Sequence, residues 1–523
     1  MSATFLFISI GIWMINGKTY CQPNDPCWPT LTEINGLNDT LNGLLVGYDM
    51  TNGSEYMNLV SLSQNLIYFG YPSWIVNCHT PDNIQNAIIF AKEHNIQVAI
   101  LSTGHSYSGR NTGNNTLQLS LSNMKKYEFD DELKAITVQT GLQWGNIYEL
   151  VYNHFGPEYI IIGGSDASVG PGGYSLNGGH SPQTPRYGLS SDYTIKYNMV
   201  NADGNIVTIY NDTNNDTISD LFWALKGAGG STFGVIVNIT FQLIKMDFEN
   251  NNKWTQITCA YPFYRKPFQK QEYIGYDVLS GYFKYINNGL DPTWGGYFLA
   301  AIIDGLVPYL IFFFNYWGNT EYAQQNAMPL GLLDPYNKTF DAHCSFLEYD
   351  SFWDYEQTVA PDNSSSYAYV YDTFVPATNL TNEYVHDLLS FMDDGSNPII
   401  QDGVYRTFTG TLIGGNNNNV PYGKTAVGPG FRASYYALTY GSASINSTEA
   451  GVQSAINDGI KWEGILSKYG YGIYTNEENG YCNNCDWKKE FWGYNNYDRL
   501  LDIKQKWDPN QVFWCNHCVG SDL

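Results

Sequence analysis

Ser102-Thr103-Gly104-His105-Ser106-Tyr107-Ser108-Gly109-Arg110 is the stretch whose reading decides the fold. A β-type run, Gln97 to Ser102, leads straight into it. Glycines and short hydroxyl side chains let several backbone N–H groups point at one ligand, and such a nest suits a pyrophosphate. The same loop sets an imidazole beside that anion, where it can act as a nucleophile. The competing reading is a surface turn with a chance histidine, and the surrounding chain counts against it. The loop reads as the seat of a flavin dinucleotide, with His105 bonded to it.

Upstream, Thr80-Pro81-Asp82 is a helix start: a hydroxyl N-cap, proline at the first position and an acid in the first turn. Ile84, Ala87, Ile88 and Ala91 then share one helix face. A helix–strand unit therefore delivers the loop. Downstream, Thr116 to Ser122 alternates as a half-buried strand, and Ala135 to Gln139 is another. Trp144, Ile147, Tyr148 and Val151 repeat with helical spacing and read as core.

Gly163 to His180 is the second glycine-rich stretch, able to bring backbone close to something flat or anionic. The strand run Tyr193 to Val200 follows. Asn201 to Gly204 is a hairpin turn, and Ile206 to Ile209 is the return strand. A helix end at Leu221 to Leu225 runs into a third glycine loop ending at Gly234, then a strand from Val235 to Leu243. Polar Glu249 to Lys253 marks a boundary. Beyond it come alternating aromatic strands, such as Gly296 to Ile303 and Tyr435 to Tyr440, with Gly414 to Val420 as a loop. This part reads as one wall of a cleft. In the tail, Tyr469 to Tyr474 reads as a strand, and Asn496 as the cap of a helix from Tyr497 to Lys506 that Asp508-Pro509 stops.

The bulk properties limit the function. The 523 residues exceed one typical domain. Lys and Arg total 26 against 50 Asp and Glu, a formal charge of −24, which would repel nucleic acid and anionic membrane. Phe5 to Ile15 is apolar but too short to span a bilayer, and reads as a signal-peptide core cleaved near Gly17 to Tyr20. No later run is long enough to span; Asp304 and Pro308 interrupt the nearest, Ala300 to Phe314. Sequons begin at Asn38, Asn52, Asn114, Asn211, Asn215, Asn238, Asn337, Asn363, Asn379 and Asn446, and with the leader they fit a secreted glycoprotein. Asn238 falls in a predicted strand, the poorest place for a sugar.

Cysteines fall in close pairs at Cys21/Cys27, Cys482/Cys485 and Cys515/Cys518, with Cys78, Cys259 and Cys344 apart. The two Cys-X-X-Cys units could suggest zinc, but an oxidising compartment favours disulfides, local or crossed between the pairs, and no metal site is expected. Their odd number leaves at least one thiol free or paired with another chain.

Taken in order, these motifs resemble the FAD-linked oxidases of the vanillyl-alcohol oxidase/PCMH superfamily, in its berberine-bridge-enzyme-like group. The signs are Gly104 to Arg110, then Val169-Gly170 to Gly173, Gly178-Gly179-His180 and Tyr187-Gly188-Leu189 with Asp192. Leu221 to Leu225, Phe233-Gly234-Val235 and Asn496-Tyr497 to Phe513 complete the set. The ends, Cys21 to Pro29 and Trp514 to Gly520, resemble the secreted microbial branch. The resemblance implies an α+β fold, a two-part FAD-binding PCMH-type domain with an inserted antiparallel-sheet substrate domain. The expected parts are a signal peptide (1–20), a cap segment (21–67), an FAD-binding domain (68–246), a substrate domain (247–460) and a carboxyl-terminal berberine-like segment (461–523) that completes the first.

It further implies FAD attached through His105. Many relatives add a second link through a cysteine before the Val-Gly pair; Asp166 stands there, so His105 is the expected sole tether. Pro171 occupies the position after that pair, which bears on oxygen access. Expected cofactor contacts are Ser102, Thr103, Gly104, Ser106, Tyr107, Ser108, Ser168, Val169, Gly170, Gly173, Gly178, Gly179, His180, Gly188, Asp192, Gly234, Val235 and Asn496. The implied chemistry is hydride transfer from an alcohol, with O2 as acceptor. Relatives often place the base in a Tyr-X-Asn-Tyr motif. Here it reads Tyr474-Thr475-Asn476-Glu477, so Glu477, Tyr474 and Tyr440 are the candidate bases. Abundant Tyr and Trp suit sugar faces, making a sugar or oligosaccharide hydroxyl the first substrate and a small metabolite the second. A secreted glycan-binding or surface protein that keeps the flavin fold without turnover is the alternative.

Overall fold

The computed structural model describes residues 19–47, 64–246, 253–263, 274–287, 291–303, 307–327, 343–359, 361, 365–392, 404–444, 447–480 and 485–523. The expected leader, most of Glu249–Lys253, Cys482 and the sequons at Asn52, Asn337, Asn363 and Asn446 lie outside these. Among the described residues no helix is long and apolar enough to cross a membrane.

The described residues build three principal sheets. The first comprises β1 (Leu45–Gly47), β2 (Trp74–Asn77), β3 (Val98–Leu101) and β4 (Leu117–Ser120), in the order β1-β2-β4-β3. Both β2 and β3 run parallel to β4. Thr80 caps the helix Pro81–Glu93, and Asn83 reaches back to accept from the Thr80 N–H at 3.0 Å. Its buried face carries Ile84, Ala87, Ile88 and Ala91, as the spacing requires. β4 is buried on both faces rather than one, because it is central and parallel. Its inward Gln118 is satisfied by donating to the Asn111 carbonyl at 2.7 Å.

The second sheet is antiparallel: β5 (Tyr127–Asp130), β6 (Ala135–Gln139), β7 (Thr194–Asn201), β8 (Ile206–Tyr210) and β9 (Gly234–Gln242), ordered β5-β6-β9-β7-β8. The expected turn at Asn201–Gly204 joins β7 to β8, with Gly204 at φ +77°.

The third sheet is the large antiparallel one. Its strands are β10 (Trp254–Pro262), β11 (Trp294–Ile303), β12 (Val307–Trp317), β13 (His343–Tyr349), β14 (Ala368–Val375), β15 (Val404–Leu412) and β16 (Tyr436–Ser444). They lie in the order β13-β10-β12-β11-β15-β16-β14. A disulfide, Cys259–Cys344, crosses from β10 to β13. One face, with Phe298, Phe312, Phe408, Tyr436 and Tyr440, is buried in an aromatic core with Tyr282 and Phe391 of the covering helices. The helix Glu449–Leu466 lies so close that a Cβ on Gly459 would meet the Tyr369 ring at 2.2 Å. The other face looks toward the glycine loops.

The tail returns to the first two sheets. The helix Tyr494–Trp507 begins three residues earlier than expected, after Gly493 at φ +70°. Asn496 is therefore inside the helix and donates to the Val427 carbonyl at 3.4 Å instead of capping. Lys504 is buried, and its ammonium donates to the carbonyls of Thr232 and Phe513 and to Asp508, at 2.6, 2.7 and 2.7 Å. All three donors are used, which is what makes a buried lysine tolerable. Residues 470–474 are irregular rather than a strand. Gly472 sits at φ +95°, and only a short exchange with Phe374 at the β14 edge survives.

Cys21–Cys27 and Cys515–Cys518 are local disulfides, and Cys485 is also disulfide-bonded. Cys78 is the free thiol among the described cysteines, and burial pushes its pKa up to about 12.

Candidate functional site

A cavity of about 500 Å3 opens where the glycine loops meet the uncovered face of the large sheet. Its floor is the loop after β3. Ser102, Thr103, Gly104, His105, Ser106, Tyr107 and Ser108 all line it. Gly104 takes φ +91°, the turn that lets the loop fold back on itself. Thr103 Oγ1 accepts from the Gly170 N–H at 2.9 Å, tying the first glycine loop to the second. Val169, Gly170, Gly173, His180 and Gly234 line the cavity too.

His105 is held from both sides. Its Nδ1 lies 3.0 Å from Gln64 Oε1 and its Nε2 2.9 Å from Ser168 Oγ. Ser168 in turn donates to Asp166 Oδ1 at 2.6 Å, and the same oxygen accepts the Ser168 N–H at 2.8 Å.

The opposite wall comes from strand alternation in the large sheet. Pairing puts Leu299, Thr409, Thr439 and Asp372 in one row across β11, β15, β16 and β14. Tyr297 and Thr411 are a pair in the next row on that face. Tyr297, Thr409, Thr411 and Thr439 line the cavity. Tyr440 is one residue on from Thr439 and so faces away. Its ring packs on Tyr371 and Phe391, and burial raises its pKa well above that of an ordinary phenol. The structure does not bring Tyr440 to the cavity.

Glu477 and Tyr474 do reach it, on a turn closed by the Glu477 N–H to the Tyr474 carbonyl at 3.0 Å. Asn476 fastens that turn to the second glycine loop by donating to the Gly173 carbonyl at 3.2 Å. Glu477 Oε1 lies 3.2 Å from His180 Nε2, and Oε2 accepts from the Thr439 hydroxyl. Behind Thr439, fully buried Asp372 accepts the Tyr474 N–H at 2.8 Å. Burial pushes the Glu477 carboxyl up, but the charge and hydrogen bond of His180 and the bond from Thr439 outweigh it and leave Glu477 below its ordinary value. Asp372 moves the other way, raised by burial and then by the charge of Glu477. Tyr474 is raised well above an ordinary phenol, chiefly by burial. Of the three candidate bases, Glu477 alone pairs cavity exposure with a lowered pKa.

Several expected contacts serve the frame instead. Asp192 makes a two-pronged ion pair with Arg432, at 2.8 and 3.0 Å, both side chains being buried. Gly188, at φ +91°, ends a short helix beside Asp192, where a Cβ would lie 2.9 Å from its carboxylate. Gly178 and Gly179 turn the chain at positive φ, and a Cβ on Gly179 would meet the Tyr174 ring at 2.4 Å. Val235 points into the smaller apolar core with Val98 and Leu117, because Gly234 and Ile236 on either side of it face the cavity. Asn496 is a helix residue at the Val427 carbonyl.

Sequence reading did not single out Gln64, Thr140, Asn177, Tyr297, Thr409, Thr411, Thr439 or Asp372. Only strand register identifies the threonine wall. Arg110 had a signal, closing the first motif. It lines the cavity beside Glu478, at 3.2 Å, and its Nε is buried without a partner.

These features suit a large anionic, flat-ringed cofactor. Cβ atoms added to Gly173 or Gly230, both lining the cavity, would project into nearly open space. Arg110 Nε and His180 Nδ1, in side chains that line the cavity, are buried without a hydrogen-bond partner.

Comparison with known proteins agrees. Residues 72–210 match the FAD binding domain family and residues 468–520 the berberine and berberine-like family. The FAD-linked oxidoreductase ZEB1 of Gibberella zeae is 26% identical, over 96% of this chain and 93% of its own. Among solved structures, the VAO-type flavoprotein MtVAO615 from Myceliophthora thermophila C1 superposes with a TM-score of 0.78 at 21% identity, over 96% of this chain and 97% of that one. The glucooligosaccharide oxidase of Acremonium strictum gives 0.76 at 20%, over 92% and 98%.

Proposed function

Starting from a chain that belongs to the FAD-linked, berberine-like oxidoreductases, we propose that it is a secreted enzyme oxidising a CH–OH group of a sugar, an oligosaccharide or a small metabolite. The flavin is tethered through His105, and O2 is the acceptor. The observation that carries this reading is Glu477, a lowered-pKa carboxylate across the same cavity from His105.

When bound, FAD supplies the hydride acceptor. Ser102, Thr103, Ser106 and Arg110 would hold its phosphates and ring edge, and His105 would fix it. Glu477 accepts the substrate's hydroxyl proton at a carboxylate oxygen. His180 and Thr439 hold that carboxylate in place and in the proton-accepting form, at some cost in basicity. Asp372, whose carboxyl is pushed well above its ordinary value by burial and then by the charge of Glu477, secures the turn through the Tyr474 amide. Tyr297, Thr409 and Thr411 present hydroxyls to a hydroxyl-rich substrate. A sugar also accords with the substrate named for the Acremonium enzyme of this fold.

The test is anaerobic bleaching of the purified yellow protein by a panel of oligosaccharides and small alcohols, then peroxide release on admitting air. Bleaching with peroxide supports the reading. A coloured protein that no alcohol bleaches would count against turnover.

A further inference from the structure

The uncovered face of the large sheet runs on past the cavity, and across β11 it changes chemistry. Leu299 has Thr409 on one side and Ile311 of β12 on the other. Tyr297 likewise stands between Thr411 and Phe313. Residues paired directly across strands point to the same face. Ile311 and Phe313 therefore share the face of Tyr297 and Thr409, which line the cavity. Tyr309, two residues before Ile311, joins them. Between these, Leu310, Phe312 and Phe314 are buried in the aromatic core, whereas Leu299, Tyr309, Ile311 and Phe313 stay partly exposed. Thr258 and Ala260 of β10 extend the same rows. None of these side chains carries a charge. Contiguous apolar side chains left half in water beside a candidate active site mark a shelf that a ligand covers.

We propose that the substrate is an amphipathic alcohol, whose apolar body lies on Leu299, Ile311 and Phe313 while its hydroxyl meets Glu477. The inference rests on the alcohol oxidation proposed above and names the class of alcohol. Thr439, which donates to Glu477, stands in the row Thr439, Thr409, Leu299, Ile311. Neighbouring strands are about 4.8 Å apart, so Ile311 lies about 14 Å from Thr439 along that row. The threonine end offers hydroxyls near the reacting carbon. The other end offers contact area and little to bond. A sugar chain laid along the row would press its outer hydroxyls against Leu299, Ile311 and Phe313, and each hydroxyl stripped of water without a partner there is costly. An alkyl or aryl group in the same place sheds water at a gain.

The experiment uses the full chain with its flavin and a series of 1-alkanols from butanol to decanol, beside gluco-oligosaccharides. Each added methylene should raise kcat/KM for flavin bleaching about 2- to 4-fold until the shelf is covered. The methyl ethers of the same alkanols cannot lose a hydroxyl proton, and their affinities, read by calorimetry, should rise with chain length in the same way. Phe313→Thr and Ile311→Thr, which suit a strand, should each raise KM for decanol by about 10-fold. Phe313→Leu should keep most of the native value. Ether affinity that does not rise with chain length would overturn the proposal, and so would gluco-oligosaccharides that surpass decanol in kcat/KM. A length dependence that survives the double Thr variant would overturn it too, by placing the tail elsewhere. Flat affinity together with a dimer that the ethers leave intact would give the shelf to a second copy of the chain. Ethers that bind as expected to a protein no alcohol bleaches fail differently: the shelf stands and the proposed oxidation falls.

Discussion

The two walls of the cavity were built by different rules. On the cofactor side, the chain approaches through glycine loops whose shape depends on local backbone conformation, such as φ +91° at Gly104. On the sheet side, Thr409, Thr439 and Asp372 meet because neighbouring strands align them in one row. The first wall is specified by consecutive residues, the second by residues far apart in the chain. Local rules tolerate little substitution, whereas a register row keeps its geometry while its side chains vary.

Substitutions on each wall test the division. The largest effect is expected at His105→Ala, which should free all the flavin on acid precipitation while FAD still binds. Next, Glu477→Gln should lower kcat by about 10²- to 10⁴-fold with the tether intact, measured by the rate of flavin bleaching. Retained activity would move the base elsewhere.

Arg432→Ala leaves Asp192 buried and unpaired, and should cost about 3–5 kcal/mol in denaturant unfolding. A loss of FAD affinity without a loss of stability would restore Asp192 to the cofactor.

The acid pair predicts opposite pH effects. Asp372 has a raised folded-state pKa, so its contribution to stability is full below the ordinary Asp range and is lost as pH rises through the raised value. Glu477 has a lowered one, so its contribution is present above the ordinary Glu range and lost as pH falls through the lowered value. Between about pH 5 and about pH 8, native Tm should therefore drop more than that of Asp372→Asn. The smallest effect belongs to Tyr440→Phe. Its hydroxyl has no hydrogen-bond partner and faces the aromatic core, so kcat should stay within about twofold.

The sequence carried most of the cofactor wall, because a nest, a nucleophile and a helix start are written in adjacent residues. It carried the existence of the antiparallel sheet, through aromatic alternation, but not its order, since pairing of β13 with β10 or β11 with β15 leaves no local mark. Tyr440 and Thr439 show the cost. Alternation says that they face opposite ways, but not which way is inward, and without the neighbouring strands the aromatic residue is the tempting choice. Asp192 and Gly188 show the converse. Their motif was visible, yet the distant Arg432 that explains it was not. Asn496 was misplaced as a cap because Gly493, three residues before, is the residue at positive φ.

Lys504 draws the Thr232 carbonyl, Asp508 and Phe513 into one buried knot, and Glu477 comes from the same late stretch of chain. A ribosome makes Thr232 long before it makes Lys504, and domains otherwise tend to fold as they emerge. The half of this protein that seats the dinucleotide cannot finish on that schedule. It has to wait, incomplete, for the last residues to be threaded back onto it.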